Sequence, residues 1–570
     1  MKIAPYQPRE YVPAEIDLTE TDQLAPLLDR LQADLDAATT PEELEAWLDA
    51  YGETRAALSQ SKAIAYIERT CATDDPAKEA AYMKIVEKVD PWLKPRQFTI
   101  LQKLAAHPQF DALDASYEVF RRSIKMAVRL FREKNVPRQT EEAKLNTEYD
   151  KIMGAMTVPF DGKEQTLFQL ARVQEETDRA RREEAWTKTA ERRLRDRDRL
   201  EDIFDRLLEL RHEMAREADF ADYRDYAFAM YERFDYTPQD CLDFHQAIEE
   251  HIVPVTRELQ RERAAGLGVD PLKPWDLAVD VDGRGPLRPF ADADEMRDKC
   301  LAIFEKLDPR LAEYYRLLID HECLDLANRK GKAPGGYQST LAEARLPFIF
   351  MNAVGMQRDV ETMVHESGHA FHAVAARGQR LQAYRGAPIE FCEVASMAME
   401  LLTAPHWDAF YQEDGAKRAR AEHLRGIVKF FPWMATIDAF QHWLYTNPGH
   451  SRGERQEAWL GLMDRFGGLE DWSGHADARA SLWQRQLHLF EVPFYYVEYG
   501  IAQLGALQVW RASRTDAKDA LESYLQGLAL GGSRPLPELF TAAGIQFDFT
   551  APTIQPLMEE VRDELRALDA

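Results

Sequence analysis

Residues 359–378 read DVETMVHESGHAFHAVAARG, and within them His365-Glu366-Ser367-Gly368-His369 places two histidines four apart with a glutamate beside the first. Apolar Val360, Met363, Val364, Phe371 and Val374 recur at helical spacing. Asp359 is the expected N-cap, with Arg377 and Gly378 at the C-terminal end. On a helix, side chains at i and i+4 have Cβ atoms about 5–6 Å apart, so both imidazoles can reach one metal ion at about 2.0–2.1 Å. Glu366 lies about 100° round the helix and flanks that ion without binding it. Gly368 costs about 1 kcal/mol relative to Ala in a helix interior, which implies close approach of another backbone.

A catalytic zinc takes three protein ligands and keeps one open position. The following segment supplies acids: Pro388 and Pro405 bracket a helix over 389–404 on which Glu390, Glu393 and Glu400 fall near one face. The rest of that helix is apolar, so its acids are expected to face a polar cavity. Glu393 is the preferred third ligand. Glu390 is the rival, because spacing does not separate two carboxylates one turn apart. Glu400, two turns on, is placed to hydrogen-bond a ligand histidine from outside the coordination sphere.

The run His365 to His372 followed by Phe391-Cys392-Glu393-Val394-Ala395-Ser396 resembles the thimet oligopeptidase and oligoendopeptidase F family of zinc metallopeptidases, and the oligoendopeptidase F branch most of all. Gly331-Lys332-Ala333-Pro334-Gly335-Gly336-Tyr337 precedes the zinc helix, and His488 and Pro493-Phe494-Tyr495-Tyr496-Val497-Glu498-Tyr499 follow it. The likeness runs from about residue 320 to 510 and more weakly back to Asp161-Gly162; before about residue 110 no motif carries it. In that family the third ligand is a glutamate some 25 residues after the second histidine, and Glu393 follows His369 by 24. The resemblance implies one zinc per chain held by His365, His369 and Glu393, with short unstructured peptides as substrates in a deep cleft. It also implies that His488, Tyr495 and Tyr499 contact substrate and stabilise the transition state. Physically, phenol and imidazole are the donors an oxyanion needs, and Pro493 can start a helix from which Tyr495 and Tyr499 project together. Tyr496 is assigned with them to substrate binding.

Residues 345–353 form an apolar run read as a strand, which Pro347 demotes to an edge where an extended peptide can add by β-augmentation. The Gly335-Gly336-Tyr337 turn is expected to close over the same peptide. A carboxypeptidase or dipeptidyl carboxypeptidase on this zinc site would need a cation for the substrate's C-terminus, with Arg345 and Arg385 as candidates. A catalytically silent peptide-binding protein would lack the base or a ligand, yet all four residues are present.

The chain has 570 residues and a net charge of −26, from 72 basic and 98 acidic side chains, which argues against nucleic acid and anionic membranes as partners. Five dispersed cysteines suit a reducing compartment. Residues 1–8 lack the apolar core of a signal peptide and no 18-residue uncharged run occurs, so a cytoplasmic, soluble protein is expected. The composition leaves oligomeric state open. Val158-Pro159-Phe160-Asp161-Gly162-Lys163 reads as a two-residue hairpin. Residues 172–217 read as helix with a solvated charged face, and Asp438 and His442, four apart, as a satisfied helix pair in preference to a metal pair. The expected architecture is mainly α: two helical subdomains around a cleft with a small β-sheet beside the zinc helix. An N-terminal helical region to 195, with the hairpin near 157–167, precedes a catalytic region over 196–570.

Overall fold

The computed structural model describes residues 1–333 and 335–569. It is mainly helical with two small sheets. The chain divides into two compact units, each assembled from separated segments: Met1–Arg129, Leu287–Arg420 and Ile501–Phe547 in the first, and Leu130–Pro286, Ala421–Gly500 and the residues from Asp548 on in the second. Position 195 lies inside the second unit, not at a boundary between units.

In the first unit, the motif helix (Gln357–Ala376) lies between a three-stranded sheet and the acidic helix (Ile389–Thr403). Gly368 is where the two helices meet. A Cβ there would stand 2.5 Å from Ala395 O and 2.6 Å from Ser396 Cα, so no larger residue fits without moving backbone. Tyr524 donates to the same Ala395 carbonyl at 2.7 Å, fixing the acidic helix in place. Beyond the motif helix, Leu381 and Tyr384 dock into a core of N-terminal helices with Leu44, Trp47, Phe110 and Phe120. The Tyr384 hydroxyl donates to Ser116 O at 2.8 Å.

Two local expectations need correction. Asp359 is not the N-cap; the helix starts at Gln357, and the Asp359 carboxylate reaches back to accept from Val354 N (2.8 Å) and Met356 N (2.9 Å). It satisfies amides at the helix entrance from the third position, as acids in a capping box do. The strand with Pro347 is not an edge. It is β5 (Leu346–Ala353), central between β3 (Leu324–Ala327), which runs parallel, and β4 (Tyr337–Leu341), which runs antiparallel. Proline is tolerated because amides alternate between the two sides of a strand. Ile349 N donates toward β3, to Cys323 O at 2.9 Å, so the Pro347 nitrogen faces that side too, ahead of the first β3 pair, Leu324 with Ile349. The open edge beside β5 therefore belongs to β4.

In the second unit, β1 (Thr157–Phe160) pairs antiparallel with β2 (Lys163–Thr166) through Asp161-Gly162, both at positive φ (50° and 71°), as a primed hairpin turn requires. The charged stretch from 172 on forms two main helices, Arg179–Leu194 and Arg197–Glu217, and its charges are not all solvated. Arg182 is buried against Asp276 at 3.0 Å, and fully buried Arg211 bonds Glu142 at 2.7 Å and the Tyr445 hydroxyl at 2.8 Å. Among the described residues, no helix is long and apolar enough to cross a membrane.

Candidate active site

The motif helix turns His365 and His369 toward the acidic helix, their rings 5.0 Å apart and nearly perpendicular. Glu393 Oε2 lies 3.4 Å from His365 Nε2 and 3.6 Å from His369 Nε2. The ligand atoms of these three residues all fall within 4.8 Å of one another, and Glu390 is not part of the group. A tetrahedral ion with arms of about 2.0–2.1 Å has ligand-to-ligand edges of about 3.3–3.4 Å, so two imidazole nitrogens and one carboxylate oxygen at these spacings fit zinc. The outer contacts are in place as well. Glu400 Oε1 holds His365 Nδ1 at 2.6 Å, the His369 ring bonds the backbone of Cys392, and Ser396 Oγ donates to Glu393 Oε2 at 3.0 Å.

The electrostatics also suit a cation. Burial disfavours charge on both imidazoles and pushes His369 down to about 4, yet the hydrogen bonds to Glu393 and Glu400 hold His365 well above its ordinary value. Burial raises the Glu393 carboxyl, but His365 and His369 outweigh it and keep it low. Glu366, 8% exposed, is lifted by burial to about 7, which His365 opposes and Glu393 reinforces. Three carboxylates around two imidazoles make a negative cluster, and a divalent ion offsets it while drawing Glu366 back toward its ionised form.

The outward amide of Gln338 on β4 faces the Glu366 carboxylate and favours its charged form, so the open sheet edge runs beside that acid. Gly335 takes φ +94° and Gly336 lies against the motif helix, where a Cβ would stand 3.3 Å from Thr362 Cγ2. Pro334 of this motif lies outside the described residues. Tyr337 stacks on Phe350 with centroids 4.9 Å apart, and its hydroxyl is 2.6 Å from Thr70 Oγ1. Lys332 anchors the loop through Asp325 Oδ1 at 2.9 Å, a role its sequence context did not suggest. Arg345 donates to Arg377 O (2.8 Å) and Arg385 to Gln379 O (3.0 Å) and Arg380 O (3.1 Å), so both guanidiniums serve the chain just past the C-terminal end of the motif helix.

In the second unit, His488, Tyr495, Tyr496 and Tyr499 form one aromatic group. The His488 ring centroid is 6.1, 4.7 and 5.9 Å from those of Tyr495, Tyr496 and Tyr499. The helix does not begin at Pro493 but at Tyr496, because Phe494 takes φ +69° and turns the chain. A left-handed phenylalanine costs about 1–3 kcal/mol and persists only where neighbours over-determine it. Here Gln441 Oε1 accepts from Phe494 N at 2.5 Å, while buried Arg233 donates to Phe494 O at 2.5 Å and to Glu498 at 2.8 Å. Arg211 similarly holds Leu489 O at 3.1 Å. These arginines and Gln441 escaped sequence reasoning because arginine and glutamine are ordinarily surface residues.

A second chain of bonds fixes His488. The Trp433 indole donates to Gln486 Oε1 at 3.0 Å, and the Gln486 amide nitrogen is 2.6 Å from His488 Nδ1. Indole N–H can only donate, so the amide presents its NH₂ to Nδ1, and the His488 proton resides on Nε2. Burial lowers His488 to about 4 and keeps the ring neutral near neutral pH.

Replacing Gly368 tests the helix contact. Gly368→Ala gains about 1 kcal/mol of helix propensity but drives a methyl into the Ala395 carbonyl. Overpacking costs of about 1–3 kcal/mol are expected to dominate, lowering Tm and metal content together. Unchanged values of both would show that the helices are not in contact as described.

Of solved structures, PZ peptidase A with inhibitor 2 superposes with a TM-score of 0.89 at 28% identity, over 98% of this chain and 99% of that one. The oligopeptidase PepF of Bacillus subtilis (strain 168) is 23% identical over 294 residues, 48% of this chain and 42% of that protein. The plasmid oligoendopeptidase F of Lactococcus lactis subsp. cremoris is 23% identical over 331 residues, 55% and 52% of the two. The chain thus spans about half the length of the curated relatives it matches. Residues 14–131, which include the stretch before about residue 110 that carries no legible motif, match the peptidase M3 N-terminal domain. With residues 172–307 and 311–559 matching the peptidase itself, the chain belongs to peptidase family M3.

Proposed function

We propose that the chain is a zinc-dependent endopeptidase that hydrolyses internal bonds of short oligopeptides. The observation that carries this reading is Glu393 Oε2 at 3.4 and 3.6 Å from the two imidazole Nε2 atoms, with Glu366 on the adjoining position of the same helix. His365, His369 and Glu393 would hold the ion, which when bound lowers the pKa of water to about 7 and polarises a carbonyl. Glu366 takes the proton of the attacking water and returns it to the leaving amine, a task suited to a carboxyl whose environment places it near neutrality. The Gln338 amide facing it places it beside the open edge of β4. That edge, moved from β5 to β4, receives an extended substrate by β-augmentation, with Gly335, Gly336 and Tyr337 lining its start. His488 donates through Nε2, and Tyr495 and Tyr499 through their hydroxyls, to the substrate oxyanion and backbone; Tyr496 contacts substrate beside them. The engagement of Arg345 and Arg385 with backbone carbonyls favours internal cleavage over capture of a C-terminal carboxylate. Cys71, Cys300 and Cys323 are free thiols, in keeping with a cytoplasmic enzyme.

The two neighbouring acids test the ligand set. Glu393→Gln is expected to reduce zinc occupancy and activity together, whereas Glu390→Gln keeps zinc bound. Metal analysis of both purified proteins decides. Retention in the first with loss in the second would transfer the ligand role to Glu390.

A further inference from the structure

Cys241 and His245 stand one turn apart on the helix Pro238–His251, and Asp438 and His442 one turn apart on the helix Glu413–Thr446. Inside the second unit the two pairs meet. The Cys241 thiol sulfur, an Asp438 carboxylate oxygen and a His442 ring nitrogen all lie within 4.8 Å of one another. His442 Nε2 is 3.3 Å from Asp438 Oδ2, and His245 Nε2 is 2.9 Å from the same oxygen. All four are interior: exposures are 0% for Cys241, 1% for His245, 0% for Asp438 and 4% for His442.

The sequence reading of Asp438 and His442 as a helix pair holds, with His442 Nε2 at 3.3 Å from Asp438 Oδ2, but it leaves other polar atoms of the cluster unsatisfied. Neither His442 Nδ1 nor Asp438 Oδ1 has a hydrogen-bond partner. Buried polar atoms are nearly always partnered, so two in one cluster call for something that satisfies them together. The surroundings are largely aromatic: His442 lies edge-on to Phe494 (5.4 Å) and Phe228 (6.1 Å), and His245 packs on Phe466 (6.4 Å).

We propose that Cys241, Asp438 and His442 bind a second metal ion, a zinc in the interior of the second unit whose fourth position is left to a water. The spacing of 3.3 Å between Nε2 and Oδ2 is that of two ligands on one tetrahedral ion. A thiolate and a carboxylate neutralise a divalent ion, so the loaded site carries no net charge into an apolar interior, whereas an unpaired buried carboxylate would be costly. Thiolate with imidazole selects zinc over magnesium or calcium. His245 then serves the carboxylate from outside, donating to Asp438 as partners of metal-bound carboxylates do. Such an ion clips the helix Pro238–His251 to the helix Glu413–Thr446 directly beside Gln441, the residue that holds Phe494 N. Its role is to stabilise that region, not to supply chemistry.

The site differs from the first in having sulfur, which gives a direct test on the whole chain. His365→Ala/His369→Ala, altered only in the first unit, is produced in cobalt-supplemented medium and compared with zinc-grown protein. The expected result is about one equivalent of tightly held metal per chain and, in the cobalt form, a near-ultraviolet thiolate-to-cobalt charge-transfer band that a site of nitrogen and oxygen ligands cannot produce. Adding Cys241→Ser removes the band, and thermal unfolding of the zinc-grown chain shifts down when metal is stripped. A metal-free His365→Ala/His369→Ala chain, or a cobalt form without the thiolate band, overturns the proposal. That reading needs no variant in the second unit, so a folding failure of Cys241→Ser leaves it decisive, and it does not depend on whether the first site is catalytic.

Discussion

Glu366→Gln should retain zinc at the parent level and lose about 10²–10⁴-fold in kcat, the range that general-base catalysis contributes. The amide keeps the shape of the acid, so the helix and the neighbouring ligands stay in place. It cannot take a proton from water. Because Glu366 is not among the residues whose ligand atoms converge, metal content and turnover should separate cleanly in this variant. A loss below tenfold with zinc unchanged would remove Glu366 from the role of base.

Tyr499→Phe should lower kcat by about 10²–10³ with little change in KM, zinc content or Tm, the signature of one lost oxyanion donor. The ring is kept, and so are its contacts with Tyr495 at 5.2 Å and Tyr496 at 5.7 Å. A tyrosine that only packs would instead leave turnover near normal and cost at most about 0.5–1.5 kcal/mol of stability for a missing hydrogen bond. A kcat within threefold of the parent would assign Tyr499 to packing and leave His488 and Tyr495 as the donors.

The motif and acidic helices were legible in the sequence because their signals are local: apolar periodicity, flanking prolines and an unexplained glycine that marks the contact at Ala395. What lay beyond reach depended on partners distant in the chain. Pro347 argues for an edge strand until the short reach of β3 is known, since a missing amide matters only where a neighbour needs it. Phe494 gives no sign of its positive φ, which Gln441 and Arg233 impose from 53 and 261 residues away. Buried Arg211 and Arg182 are indistinguishable in sequence from the solvated arginines around them. The N-terminal helices carry packing and no chemistry, so no motif marked the stretch before about residue 110, although residues 14–131 match a known domain. Asp438 and His442 look like an ordinary helix pair because Cys241 and His245 are nearly 200 residues earlier.

The most direct test of the central claim is mass spectrometry of a peptide library, part of it blocked at both ends, after digestion by the full chain with and without a chelator. The account predicts cleavage at internal bonds of short peptides, blocked ends included, that stops when metal is withdrawn and returns with added zinc. Cleavage indifferent to the chelator, or confined to peptides with a free C-terminus, would contradict it.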